Sequence, residues 1–199
     1  NTPAECVASI ADSDAKWFSI FDAAKGYNQC PLDEESRPLT TFITPFGRYM
    51  YTRAPFGVSS ISEFFNRRMD ECFRDIPGIQ RVVDDVLICG SSREQLEERV
   101  RLFLDRCRAR GVTLNVSKAR HMQKQVQFAG FVVTGGGYRP DPELLRAIAA
   151  FPTPQTLTEL RSFFGLVNQI APFSEEVAEH MEPLRHLLSS KRSFSWDIC

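Results

Sequence analysis

The feature that most constrains the fold is a pair of adjacent acids, Asp84 and Asp85, in the middle of an apolar run. Val82 and Val83 precede the pair, and residues 86–88 (Val, Leu, Ile) follow it. Neighbouring residues of a strand point to opposite faces of a sheet, so both carboxylates can face one site only at a bend. We therefore predict that residues 79–90 form a strand, an acidic turn and a second strand. Asp is also a common turn residue, so the pair alone fits an ordinary turn as well.

Strand patterns and two long amphipathic helices fill the first two thirds of the chain. The predicted strands and hairpins cover residues 17–21, 39–53, 79–90, 112–116 and 126–133. One helix is predicted from Ser60, because Glu63 follows at capping-box spacing. The other runs from Ser92 to Arg110 and ends at Gly111.

After the glycines at 135–137 the pattern becomes helical. Asp141 and Pro142 are typical of a helix start, and Thr156 begins another helix. Ser174 and Pro183 open one or two more. The sequence therefore predicts an α+β body over residues 1–138 and a small helical appendage over residues 139–199, which a length of 199 residues allows.

Composition excludes several classes of protein. No apolar run approaches the ~18–20 residues that a membrane span needs, so no membrane partner is expected. The six cysteines form no CxxC pair, which disfavours structural zinc and predicts reduced, packed thiols in an intracellular compartment. A formal charge of -1 argues against a disordered basic tail. The first residues contain no Met and no signal peptide, so we expect a start inside a longer polypeptide.

Three carboxylates have settings that suggest chemistry. Asp22 ends a buried aromatic strand, and Asp84 and Asp85 interrupt an apolar one. An acidic pair at a packed sheet is costly unless a cation neutralises it. Carboxylate oxygens are preferred ligands of Mg²⁺, and two such ions can activate a hydroxyl and stabilise a leaving pyrophosphate. This arrangement is the one that nucleotidyl transfer on a palm-type sheet requires.

Six stretches in order resemble the reverse transcriptase of gypsy-type long-terminal-repeat retrotransposons, over nearly the whole chain. They read FSIFDAAKGY (18–27), TFITPFGRY (41–49), PFGVSS (55–60), VDDVLI (83–88), LNVSK (114–118) and ELRSFFGLVN (159–168). The resemblance implies an α+β fold in which a palm-type antiparallel sheet is backed by helices. Residues 1–138 would form the palm with part of the fingers, and residues 139–199 a helical thumb.

The resemblance also implies roles for individual residues. It implies metal binding and catalysis for Asp22, Asp84 and Asp85, with the Ala23 carbonyl as a further metal ligand; nucleotide binding for Ala23, Tyr27, Pro55, Phe56, Gly57 and Lys118; and primer gripping for Phe128, Ala129, Gly130 and Phe131. Ordinary alternatives remain for several of them. Tyr27 also fits a core tyrosine, residues 55–57 a turn before a helix, Lys118 a solvated lysine and residues 128–131 a plain hairpin strand.

The implied activity is that of an RNA-directed DNA polymerase with two Mg²⁺ ions, for which Mn²⁺ can substitute. The implied partners are an RNA or DNA template with its primer, deoxynucleoside triphosphates, and the fingers, RNase H and integrase parts of a Pol polyprotein. The implied location is a cytoplasmic particle or the nucleus. We expect the chain alone to polymerise poorly, because basic residues of the fingers are expected before Asn1.

Some positions depart from the family pattern. Val82 stands where an aromatic residue is usual, and Ile61 and Ser62 replace Ala and Pro. The helical appendage has Gln, Ile, Ala and Pro at 169–172 in place of a Tyr- and Arg-rich run. The alternative function is therefore a catalytically silent, retroelement-derived domain that acts as a binding or structural module.

Overall fold

A computed structural model of the chain describes residues 3–11, 13–173 and 175–188. The strands are β1 Trp17–Asp22, β2 Phe42–Thr44, β3 Gly47–Tyr49, β4 Ile79–Val82, β5 Asp85–Gly90, β6 Arg120–Gln123, β7 Gln125–Phe128, β8 Phe131–Thr134 and β9 Gly137–Pro140. The α-helices are α1 Pro3–Ala11, α2 Ser59–Phe73, α3 Arg93–Arg110, α4 Pro142–Ala149, α5 Leu157–Ile170 and α6 Glu175–Met181. Short 3₁₀ helices cover Gly26–Gln29, Arg37–Thr40, Val116–Lys118, Ala171–Phe173 and Glu182–Leu188.

The central sheet has four antiparallel strands in the order β4-β5-β1-β6. Alternate residues of β1 and β5 point to opposite faces, and both faces are buried. Phe21, Val86 and Ile88 pack against α2 and α3 in one core, whereas Phe18 and Leu87 belong to a second core with α1 and β7–β9. The predicted antiparallel sheet backed by helices is confirmed.

Local sequence signals set most of the helix ends as predicted. The side chains of Ser92, Asp141 and Thr156 each accept a hydrogen bond from a backbone N–H of the first helical turn. Gly111 ends α3 with φ 67, in the left-handed region that glycine adopts without strain.

The predicted start of α2 is wrong. The helix begins at Ser59, its N-cap is Val58 in an extended conformation, and no side chain of the described residues caps it. Ser60 therefore lies inside the first turn, too late to serve as the cap. On this helix the apolar Phe64 is 44% exposed, whereas Met69 is buried.

Two of the predicted strands also differ. Residues 112–116 pair with β1 only through an isolated bridge between Leu114 and Ala23. The segment that follows Ala23 turns into the 3₁₀ helix Gly26–Gln29, so the pairing does not continue. Residues 126–133 are two strands rather than one. Ala129 and Gly130 have φ 53 and φ 87, as a tight two-residue hairpin turn requires.

The helices after residue 140 have a core of their own. Leu160, Phe164, Val167 and Met181 are buried together, and the side chains of Ile148 and Leu184 pack around them. The helix expected from Ser174 begins at Glu175, with Ser174 itself outside the described residues. The five described cysteines are free and buried, as predicted. The division of the chain near residue 138 stays a proposal.

Candidate active site

The register between β1 and β5 brings the predicted carboxylates together. Asp22, the last residue of β1, lies directly opposite Asp85, the first residue of β5. Residues opposite each other in an antiparallel pair share a face of the sheet, so Asp22 and Asp85 are neighbours. Asp84 lies in the turn between β4 and β5, and its carbonyl accepts a hydrogen bond from the Ala23 N–H at 2.9 Å. The acidic turn predicted from the sequence is therefore present.

Burial and mutual repulsion act on this group of acids. The pKa of Asp84 is raised, first by desolvation and then by the charges of Asp22 and Asp85. The pKa of Asp85 is raised by desolvation and by Asp22. Lys118 opposes both effects: its Nζ lies 3.1 Å from Asp22 Oδ2, and this hydrogen bond raises the pKa of Lys118 itself. Three carboxylates therefore face one lysine, so the cluster keeps a net negative charge that a cation would neutralise.

Asp84 shows this need most directly. Its Oδ1 atom is buried and has no hydrogen-bond partner among the described residues. A methyl group added at Gly26 would overlap this atom, so the glycine leaves only enough room for the carboxylate. An unpaired buried carboxylate oxygen among acids with raised pKa values fits a hard divalent cation.

The carboxylates do not yet form a finished metal centre. As they stand, no three His, Cys, Asp or Glu side chains in the described part of the chain are grouped closely enough to hold a metal ion. Asp22 is paired with Lys118, and Asp84 points toward Gly26 on the α2 side of the turn. Binding a cation would therefore require new side-chain rotamers at Asp22 and Asp84.

Two of the predicted nucleotide-binding residues, Tyr27 and Phe56, are in contact with each other near α2, the helix toward which Asp84 points. The Tyr27 ring is 5.4 Å from the Phe56 ring and makes an edge contact with Phe65 at 5.5 Å. Phe56 is 70% exposed, so it offers an apolar surface next to Tyr27. Pro55 is buried, and Gly57 has φ 94, a conformation that favours glycine. Tyr27 is therefore half-buried at the edge of a core, with a partner that solvent can reach.

Lys118 owes its position to the loop that follows α3. The Asn115 N–H donates to the Asp22 carbonyl at 2.8 Å, and the Asn115 side chain caps the short helix Val116–Lys118. The Lys118 side chain is 63% exposed while its Nζ contacts Asp22, so the ammonium group lies at the solvent-facing rim of the acidic group.

The predicted primer-grip residues form a hairpin turn with two anchors. Phe128 and Phe131 are almost completely buried in the second core, so their side chains cannot meet a primer. Ala129 and Gly130 form the turn itself and are partly exposed. Any contact with a primer would involve these two residues, and the geometry equally fits a structural hairpin.

Sequence reasoning missed two residues that hold the site. The Gln29 side chain donates to the carbonyls of Ala24 and Thr113 and accepts from the Thr113 N–H, so it links the loop after β1 to the loop before Lys118. Arg81 Nη1 donates to the carbonyl of Val83, directly before Asp84, at 2.6 Å. A polar residue in a mostly apolar stretch, such as Arg81 in β4, was the available signal.

The antiparallel sheet, with α2 and α3 on one face and α1 with β7–β9 on the other, defines a palm-type fold. The family model described as reverse transcriptase (RNA-dependent DNA polymerase) matches residues 4–133. The chain therefore belongs to the reverse transcriptase family.

Curated proteins with similar sequences are polyproteins of viruses and retrotransposons. The enzymatic polyprotein of cauliflower mosaic virus (strain D/H) is 33% identical over 91% of this chain. The Pol polyproteins of the Drosophila melanogaster transposons opus and gypsy are each 30% identical, over 87% and 89% of the chain. The predicted resemblance to gypsy-type elements is confirmed. The chain spans 27% of the viral polyprotein and 17–18% of the transposon polyproteins.

Solved structures give the same result. A foamy viral protease-reverse transcriptase in complex with double-stranded DNA has a TM-score of 0.82 and 25% identity, covering 92% of this chain and 32% of that one. The foamy viral enzyme in complex with an RNA/DNA hybrid has a TM-score of 0.77 and 26% identity, covering 92% and 25%. No helix among the described residues is long and apolar enough to cross a membrane.

Proposed function

We propose that this chain is the polymerase palm and thumb of a retroelement reverse transcriptase, which adds deoxynucleotides to a primer on an RNA or DNA template. The observation that carries the proposal is the register that sets Asp22 opposite Asp85, with the buried, unpaired oxygen of Asp84 beside them. Such a site needs cations, and nucleotidyl transfer is the reaction that uses them in this family. The remaining parts of a Pol polyprotein are its proposed partners, inside the cell.

Asp22, Asp84 and Asp85, with the Ala23 carbonyl, would hold the metal. Two Mg²⁺ ions, when bound there, would supply the positive charge that a primer 3′-hydroxyl and a departing pyrophosphate require. Lys118 places an ammonium group beside Asp22, where it can hold a phosphate oxygen or donate a proton to pyrophosphate. In that role Lys118 would give up its contact with Asp22 and bind a phosphate oxygen instead.

Tyr27 and Phe56 would receive the sugar and base of the incoming nucleotide. Their rings form an apolar surface beside the acids, and the contact of Tyr27 with Phe65 fixes its ring against α2. A rigid aromatic ring at this place leaves no room for a 2′-hydroxyl, which would select deoxynucleotides. The turn at Ala129 and Gly130 is the proposed contact with the primer.

A second candidate function is a silent module that binds nucleic acid or protein without catalysis. The specific observation in its favour is the pairing of Asp22 with Lys118 in place of a finished three-carboxylate centre.

The deciding experiment compares wild type, Asp84→Asn and the matched control Asp105→Asn, an exposed acid paired with Arg108 on α3. Melting temperature is measured on this chain with and without Mn²⁺. Extension of a DNA primer on an RNA template is measured in a polyprotein-derived enzyme that includes the fingers, because the chain alone is expected to polymerise poorly. Mn²⁺ should stabilise wild type and Asp105→Asn through binding to the folded state only. Asp84→Asn should lose this stabilisation and about a hundredfold or more in extension rate.

The polymerase and the silent module predict different results in this experiment. Equal Mn²⁺ responses and equal extension in wild type and Asp84→Asn would overturn the polymerase assignment. Retained binding of primer and template under those conditions would then support the silent module.

A further inference from the structure

The turn that presents Asp84 and Asp85 contains a strained residue. Val83, directly before Asp84, has φ 51. A β-branched side chain is a true outlier in this left-handed region, and such a residue persists only where its surroundings hold it. Val83 is 42% exposed, so packing of its own side chain is a weak constraint. Another group must stabilise the turn.

Arg81 is that group. Its Nη1 donates to the Val83 carbonyl at 2.6 Å and to Asn66 Oδ1 at 2.8 Å. Its Nη2 donates to the Asn66 carbonyl at 3.1 Å and to Asp70 Oδ1 at 2.6 Å. Arg81 pairs with Val86 across β4 and β5, so its side chain faces α2, where Asn66 and Asp70 lie.

The contact with Asp70 does not explain this arrangement by itself. The Asp70 side chain is 60% exposed, and an ion pair in contact with solvent adds little to stability. The Arg81 side chain is only 10% exposed, and its other acceptors are two backbone carbonyls and an amide. A planar guanidinium with five fixed donors can reach all of them at once, whereas a lysine ammonium cannot.

We propose that Arg81 is a positioning residue, which locks the strained Val83 turn to α2 and so fixes where Asp84 and Asp85 stand for metal binding. The metal-binding role of Asp84 and Asp85 rests on the proposed function. The stabilisation of the turn by Arg81 does not. Because α2 also carries Phe65, which contacts Tyr27, the same helix would place the metal ligands and the nucleotide surface in one frame. Loss of the Arg81 hydrogen bonds should destabilise the turn more than it destabilises the rest of the sheet.

The test compares Arg81→Lys with a matched control, Arg106→Lys. Arg106 has three acceptors, the Cys72 carbonyl and both oxygens of Asp75, against four for Arg81, and it lies on α3 without touching the turn. Amide hydrogen exchange of residues 82–86 and the Mn²⁺-induced shift in melting temperature are measured for both variants. Arg81→Lys should speed exchange in the turn by about tenfold or more and at least halve the Mn²⁺ shift. Arg106→Lys should change neither, and should instead speed exchange near residues 72–75.

Equal exchange in the turn for the two variants would overturn the role of Arg81. If wild type shows no Mn²⁺ shift, the proposed function fails, while the exchange result still decides whether Arg81 holds the turn. Should Arg81→Lys not fold, Asn66→Ala provides the second test. It keeps Arg81 but removes one acceptor that anchors it, so turn exchange should still rise above that of Arg106→Lys, and an unchanged rate would contradict the proposal.

Discussion

At the scale of single residues, Asp84 shows a conflict between stability and the proposed activity. Its carboxylate is partly buried, one oxygen has no hydrogen-bond partner in the described part of the chain, and two further acids lie close. Nothing in folding alone favours such a group. A site that must attract a cation needs this uncompensated negative charge, which explains why it is tolerated.

The raised pKa values of Asp84 and Asp85 predict a pH dependence. A carboxyl whose pKa is raised above 3.8 by folding binds more protons in the folded state. Its contribution to stability is therefore fully present below pH 3.8 and is lost as pH rises through the folded-state value. Without metal, Asp84→Asn should stabilise the protein at pH 7 relative to wild type, and the advantage should disappear near pH 3.

Chemical denaturation at both pH values, with a metal chelator present, checks this prediction. Asp105→Asn is the control, since that acid is exposed and distant from the cluster. The same gain from both substitutions would show that net charge, rather than the local cluster, is responsible.

Tyr27 predicts the selection of sugars. Tyr27→Ala removes the ring that packs between Phe56 and Phe65 and opens space beside the acids. In an active polyprotein-derived enzyme, this change should lower discrimination against ribonucleotides by about tenfold or more, while Tyr27→Phe, which keeps the ring, should not. Single-nucleotide incorporation with deoxy- and ribonucleotides measures it. Unchanged discrimination in an active Tyr27→Ala enzyme would refute the steric role.

Two glycines make a matched pair for the crowding at Asp84. A methyl group at Gly26 would overlap Asp84 Oδ1 and press on the Phe65 ring, whereas one at Gly165 on α5 meets nothing within 4 Å. Gly26→Ala should destabilise by about 1–3 kcal/mol. Gly165→Ala should stabilise by about 0.5–1 kcal/mol, because glycine is unfavourable inside a helix. Urea denaturation gives both values, and a neutral Gly26→Ala would mean that the acid has more room than the structure indicates.

At the scale of elements, α2 and α3 differ in how they begin. Ser92 accepts a hydrogen bond from the Gln95 N–H at 3.2 Å and caps α3. At the start of α2, Val58 occupies the equivalent position with 43% exposure and no capping side chain. The helix that carries Phe65 and the anchors of Arg81 therefore forms through packing rather than through its cap.

This difference predicts opposite effects of two substitutions. Val58→Thr should stabilise the fold by about 0.5–1 kcal/mol, since threonine can accept from a free N–H of the first turn, and Ser92→Ala should cost about 1 kcal/mol. Free energies of unfolding measure both. A destabilising Val58→Thr would show that the valine side chain makes a contact worth more than a cap.

At the scale of the whole molecule, the apolar side chains form separate cores. Two of them sandwich the central sheet, and the third lies among the helices after residue 140. Phe173 reaches from those helices to the β7–β9 sheet, where it contacts Phe131 and Tyr138. We therefore propose that the region before residue 138 and the helices after it open independently.

Leu160 and Leu87, both fully buried, test this division. Each change to Ala should cost about 2–5 kcal/mol in its own unit. Leu160→Ala should speed amide exchange in residues 142–188 and leave the sheet protected, whereas Leu87→Ala should speed exchange across the sheet. Uniform loss of protection in both variants would mean that the chain unfolds as a single unit, with no boundary near residue 138.

The sequence by itself determined the features that depend on neighbours in the chain. Two adjacent acids in an apolar run can face one site only at a bend, and the acidic turn is present. Caps at Ser92, Asp141 and Thr156 and the stop at Gly111 followed from backbone groups within one turn of the side chain. The order of the six motifs also identified the family, because each motif is a continuous stretch of sequence that can be read without the structure.

Only the tertiary structure decided what depends on partners that are distant in the chain. The pairing of Asp22 with Asp85 is a matter of strand register, and the burial of Phe128 and Phe131 depends on how a hairpin packs against the sheet. The start of α2 at Ser59 overrode a capping pattern because core packing outweighs a single cap. In the sequence Arg81 is only a polar residue in a strand. Its hydrogen bonds to the Val83 and Asn66 carbonyls form only when β4, the turn and α2 pack together.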